Sequence, residues 1–137
     1  MAEKNWLVVD LDGTLTHDDD LPYAEKRPNL ELIARLREYR AAGFGIAVNT
    51  SRNMRTYGGQ IGKINANTLP IIVEWLAAHE VPYDEIHVGK PWCGPEGFYV
   101  DDRTIRPSEF LALSATEIQN VLDIERTALD NTRERTE

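Results

Sequence analysis

Apolar and polar positions come in short alternating blocks along this chain. Residues 6–9 are four consecutive apolar side chains, and they run into Asp10, Leu11, Asp12 and Gly13. A short apolar run closed by a turn signal predicts a strand buried on both faces, as in a parallel sheet flanked by helices. An Asp-rich polar loop follows over 16–28. Within 29–43, Leu32, Ile33, Leu36 and Tyr39 recur at helical spacing, and Gly43 is a C-terminal stop signal. Residues 44–50 predict a second strand, and 51–67 read as a polar, glycine-bearing connection. A helix is expected over 68–80, with Pro70 in its first turn. Residues 85–88 and 97–100 complete the expected strands, each entering a polar turn. Ser114 and Glu117 form a capping-box signature before a helix bearing Ile118, Val121, Leu122 and Leu129. This alternation predicts an α/β fold, a doubly wound, Rossmann-like parallel sheet with right-handed crossovers. The chain reads as one domain over residues 1–137, with its core at about 5–125 and a fraying tail beyond.

Composition narrows the classes. At 137 residues, a catalytic domain plus a large lid domain does not fit. The net charge of −8, from 15 basic and 23 acidic residues, argues against nucleic-acid or anionic-membrane surfaces. Cys93 is the single cysteine, so no internal disulfide can form and a zinc cluster is not expected. A reducing cytoplasm fits that usage, and neither a signal peptide nor an apolar run of membrane-spanning length is legible.

Each expected strand ends in a chemically distinctive residue: Asp10 and Asp12, then Thr50, then Lys90 within a Gly-Lys-Pro turn, then Asp101 and Asp102. Parallel strands place such ends on one edge of the sheet, where ligands bind in open α/β proteins. Two acids there repel each other unless a cation or substrate compensates them, and hard oxygen ligands suit Mg²⁺. A carboxylate nucleophile, a metal site and a phosphate clamp are the parts that phosphoryl transfer through an aspartyl-phosphate requires.

In that order and context the residues resemble the haloacid dehalogenase (HAD) superfamily of phosphohydrolases. Its DxDGT motif matches residues 10–14, its strand-end Thr matches Thr50, its lysine Lys90, and its acidic motif Asp101-Asp102. The words RNMRTY, GKIN, GKPWCG and VDDRTIRPSEF further resemble small bacterial capsule-biosynthesis phosphatases without a large cap domain. The resemblance implies Asp10 as nucleophile and Asp12 as the acid and base. It implies Thr50 and Lys90 as holders of the phosphoryl group. Mg²⁺ would be held by Asp10, Asp12 through its backbone carbonyl, and Asp102, with Asp101 beside it. Capless relatives use a neighbouring subunit as lid, which implies a homo-oligomer.

Substrate-binding candidates are Thr50, Ser51, Arg52, Arg55, Lys63 and Asn65. For Arg52 a structural role carries equal weight, and a surface-loop role carries more for Arg55, Lys63 and Asn65 individually. The stretch 51–67 offers amide and cationic groups with Tyr57 as its single ring, which favours a small phosphorylated sugar over a nucleotide. Two further classes remain open at this level: a phosphatase for another small phosphate, and a receiver-like or non-catalytic phosphate-binding signalling domain. Against the receiver, the strand that would carry the phosphoacceptor Asp ends in Asn49-Thr50.

Overall fold

In the computed structural model the backbone is described for residues 3–136 and side chains for residues 3–133. The chain divides into two compact units, Met1–Trp92 and Cys93–Glu137. In the first, Trp6–Asp10 forms β1, Leu30–Ala41 α1, Gly45–Asn49 β2, Ile61–Asn67 α2, Leu69–Ala78 α3 and Glu85–His87 β3. The strands make a parallel sheet in the order β1-β2-β3, so a helix-bearing crossover joins each strand to the next. The class is therefore α/β, a small parallel sheet flanked by helices in a Rossmann-like arrangement.

α1 starts where the Asn29 carboxamide oxygen accepts the Leu32 N–H at 3.2 Å, a side-chain N-cap. Its Leu32, Ile33, Leu36 and Tyr39 are buried, as the spacing predicts. They share the core with Ile46 and Val48 of β2, Ile64 of α2, and Ile72, Trp75 and Leu76 of α3. The Asp84 carboxylate fastens the start of β2 by accepting the Ile46 N–H at 2.9 Å and pairing with Arg40 at 3.1 Å.

Three local expectations are corrected. β2 is buried on both sides, but β1 is not: Trp6 is 40 % and Val8 66 % exposed. In the parallel register Trp6 and Val8 stand beside Gly45 and Ala47, on a sheet face that opens into a groove of about 710 Å³. An apolar run cannot tell a strand buried on two faces from one buried on a single face when the outer residues are also apolar. The connection 51–67 is not wholly loop, because its second half is α2, held by the fully buried Ile64 and by a Thr68 N–H to Ile64 C=O bond of 2.8 Å. One buried contact over two turns is too little periodicity to register. Residues 97–100 form no strand. Phe98 is 78 % and Val100 88 % exposed, and a side chain at Gly97 would run into the Cys93 backbone.

The second unit carries α4, Pro107–Ala112, and α5, Ala115–Thr136. The expected capping box is present: the Ser114 N–H donates to Glu117 Oε1 at 2.9 Å, and the Glu117 N–H donates to Ser114 Oγ at 3.2 Å. Among the residues of α5 whose side chains are described, Ile118 and Leu122 are buried. The helix continues to Thr136, through the segment whose composition suggested fraying.

Candidate active site

Strand register brings Asp10, Asn49 and His87 level at the C-terminal end of the sheet. Beyond Asp10 the chain turns through Leu11–Leu15, closed by the Thr16 N–H donating to the Leu11 C=O at 3.0 Å. Leu11 and Leu15 are fully buried and pin this turn, while Gly13 takes a φ of 82°, which a residue with a side chain resists. Thr14 thereby returns to the strand end, where its Oγ1 donates to Asp10 Oδ2 at 3.2 Å.

The other side of the site comes from β2 and β3. The Thr50 N–H donates to the His87 C=O at 2.9 Å, and the Lys90 N–H donates to the Thr50 C=O at 3.1 Å. Lys90 is thus tied by its backbone to the end of the middle strand. Gly89 before it has a φ of 87°, and a Cβ there would stand 2.6 Å from the Ile61 side chain. From this anchor the Lys90 ammonium reaches to 3.4 Å from Asp10 Oδ1, across 80 positions of sequence.

Asp12 has a different partner. Its Oδ2 accepts from Arg52 Nε at 3.0 Å and its Oδ1 from Arg52 Nη2 at 2.7 Å, a bidentate fork. The Arg52 N–H in turn donates to Thr50 Oγ1 at 3.0 Å, which fixes the arginine at the start of the turn after β2. The Thr50 oxygen accepts there, so its O–H remains a donor. Thr50 is 1 % exposed.

Burial lifts the Asp10 carboxyl above the ordinary aspartate value. The Lys90 charge and the hydrogen bonds from Thr14 and Lys90 oppose that rise, while Asp12 adds to it. A carboxylate in this position is what a cation relieves. Among the described residues no group of three or more His, Cys, Asp and Glu side chains is placed to hold a metal ion. The Asp10 carboxylate and the Asp12 backbone carbonyl are hard oxygen donors. A pair of that kind suits Mg²⁺, which retains several of its waters and takes few protein ligands.

The structure therefore brings together Asp10, Asp12, Thr50, Arg52 and Lys90, with Ser51 half-buried between two of them. Arg55, Lys63 and Asn65 are exposed, the last two on α2. Asp101 and Asp102 lie in the second unit, both exposed, and Asp101 accepts the Arg103 N–H at 2.9 Å in a local turn. Two participants had no sequence signal of their own. Thr14 was legible only as part of a motif, and Tyr23, whose ring centroid lies 4.1 Å from the Arg52 guanidinium carbon, sits in a loop that reads as solvated.

Fold and site together define an α/β protein with a strand-end acid and base cluster. No family model and no curated protein matches the chain. The crystal structure of a structural-genomics target from Vibrio cholerae is similar to it, with a TM-score of 0.87 and 56 % sequence identity over 88 % of this chain and 98 % of that one. The chain belongs to the same family as that Vibrio protein.

Proposed function

We propose that this protein is a magnesium-dependent phosphohydrolase with a doubly wound, HAD-like core. It acts through an aspartyl-phosphate on a small phosphorylated metabolite, a sugar phosphate by preference. The observation that carries the reading is the unlike company of two acids two positions apart: Asp10 faces an ammonium and a hydroxyl, and Asp12 sits in a guanidinium fork. Asp10 presents a carboxylate oxygen to phosphorus. Lys90 beside it offsets the repulsion between that carboxylate and the incoming phosphoryl group, and the Thr50 O–H donates to a phosphoryl oxygen. Asp12 transfers the protons, to the leaving oxygen in the first half of the reaction and from water in the second.

Bound Mg²⁺ would neutralise phosphoryl charge. The Asp10 carboxylate and the Asp12 carbonyl would hold it, and the resemblance adds Asp102 to the set. The sugar-phosphate preference rests on the same resemblance and on the ring-poor, amide- and cation-bearing stretch 51–67. A cytoplasmic location and a second copy serving as lid belong to this reading too. Among the described residues no helix is long and apolar enough to cross a membrane.

The test is a panel of phosphorylated sugars, polyols, nucleotides and small acids, each assayed with Mg²⁺ and after thorough chelation. Release of phosphate from a sugar phosphate only in the presence of the cation is the expected result. No turnover of any monoester, or undiminished turnover after chelation, defeats the reading. Nucleoside monophosphates outpacing every sugar phosphate in kcat/KM would overturn the substrate class alone.

A further inference from the structure

Arg52 is the most deeply placed cation of the first unit's site. Its side chain is 1 % exposed, against 35 % for the Asp12 side chain that it holds. Burying a guanidinium is costly unless its N–H groups are matched, and here Nε and Nη2 are both spent on Asp12 while Nη1 is buried without a hydrogen-bond partner among the described residues. A phosphate-binding arginine would keep its fork open to the ligand. This one is closed on a neighbouring carboxylate, with its free face covered by the Tyr23 ring at 4.1 Å.

Tyr23 in turn is not on a loose loop. It opens a short 3₁₀ turn, Tyr23–Glu25, inside a flap whose ends are tied: the His17 N–H donates to the Arg27 C=O at 2.8 Å, and Thr16 bridges Pro28 in antiparallel fashion. Asp19 gathers the Leu21 and Arg27 N–H groups, and the Trp75 indole N–H of α3 donates to the Lys26 C=O at 2.8 Å. The turn after β1, the turn after β2 and the flap thus all meet on Arg52.

We propose that Arg52 is the positioning residue that sets Asp12 for the base half of the reaction, and that Tyr23 holds Arg52 to that task. The inference rests on the phosphohydrolase reading above. Each Asp12 oxygen accepts one N–H from the fork and keeps a lone pair for an attacking water. In that step water oxygen bonds to phosphorus, its proton passes to Asp12, and the phosphorus–oxygen bond to Asp10 breaks with its electron pair returning to the Asp10 carboxylate. An immobile, correctly turned Asp12 is what this step needs, and the fork with its aromatic cover provides it.

The experiment follows pre-steady-state kinetics with 2,4-dinitrophenyl phosphate, whose leaving group needs no proton. Arg52→Met should keep a burst of 2,4-dinitrophenolate close to one per active site, while the steady-state rate falls about 10- to 100-fold as phosphoenzyme accumulates. Arg52→Lys, which keeps the charge and loses the fork, should recover part of that rate. Tyr23→Ala should slow the steady state in the same direction by less, and Tyr23→Phe by less again. An equal loss of burst and steady-state rate in Arg52→Met and Arg52→Lys, or a raised KM at unchanged kcat, would overturn the proposal in favour of a structural or substrate-binding arginine.

A wild-type protein without burst or turnover would overturn the phosphohydrolase reading and the base role with it. The positioning contact is measured separately by urea unfolding of Asp12→Asn, Arg52→Met and the double variant. Midpoint shifts that combine to clearly less than their sum support the contact, and strictly additive shifts refute it.

Discussion

Arg52 and Asp12 are joined by two hydrogen bonds of 3.0 and 2.7 Å across 40 positions of sequence. That fork gives Asp12 a cation of its own, while the Lys90 ammonium lies 3.4 Å from Asp10. Two identical side chains two residues apart thereby have unlike partners, and in the proposed reaction this separates the nucleophile from the proton carrier.

Asp10→Asn should abolish turnover and yet stabilise the metal-free protein at neutral pH. Burial raises the folded-state pKa of Asp10 above its unfolded value. The native state therefore holds this proton more tightly, and stability falls as pH rises from the ordinary aspartate range through the raised value. Above the raised value the deficit is complete, and the neutral amide lacks it. A melting temperature about 2–4 °C above wild type at pH 7, with the gap closing as pH falls towards about 4, is the expected outcome. Thermal melts that show the variant level with wild type at every pH would contradict it.

Lys90→Met should act on rate and on pH dependence together. The lysine is the largest influence opposing the burial-driven rise of Asp10. Without it the carboxylate forms only at higher pH, so the acidic limb of the kcat/KM profile should move upward. The plateau should drop about 100- to 1,000-fold, from the loss of a cation next to the reacting phosphoryl group. A profile lowered without displacement would mean that Lys90 meets the substrate and not Asp10.

The flap should loosen in acid. Desolvation works against ionised Asp19, but it is outweighed by the Arg27 and Leu21 N–H groups, the Arg27 side chain and the Lys26 charge, which together hold its pKa below the ordinary value. A lowered folded pKa contributes stability above the unfolded value and loses it as pH falls through the folded one. Amide exchange over residues 17–28 should be on the order of tenfold faster in Asp19→Asn than in wild type at pH 7. Below the lowered folded-state value the two should converge. Equal protection at pH 7 would place the flap's stability elsewhere, such as the Trp75 indole bond to Lys26.

In the second unit, Ser114→Ala should cost about 1 kcal/mol of α5 stability, the usual worth of a hydroxyl N-cap. The Ser114 backbone and side chain hold the Glu117 carboxyl below its ordinary value, so the loss should be present at neutral pH and shrink below about pH 4. Circular dichroism melts of Ser114→Ala, Glu117→Gln and the double variant should show non-additive losses, because each group completes the other's hydrogen bond.

What could be read along the chain was whatever depends on neighbours within a turn or two. The helical face of Leu32, Ile33, Leu36 and Tyr39, the Ser114–Glu117 cap, and the apolar run that stops at Asp10 are of this kind. Periodicity and capping arise from side chains a few residues apart, so their signals stay local. The same logic misled at 97–100, where an apolar run found no strand partner, and at β1, whose outer residues line a groove instead of a core.

The site divides likewise. A motif put Asp10, Asp12 and Thr14 on one strand end, and strand ends put Thr50 and Lys90 on the same edge. Nothing local could say which cation meets which acid, because the 40- and 80-position separations are closed by sheet register and by the Thr50–Lys90 backbone bond. Tyr23 shows the limit most plainly. Its place over Arg52 follows from how a tied flap folds back on the turn after β2, a matter of three-dimensional closure that leaves no pattern in the order of residues.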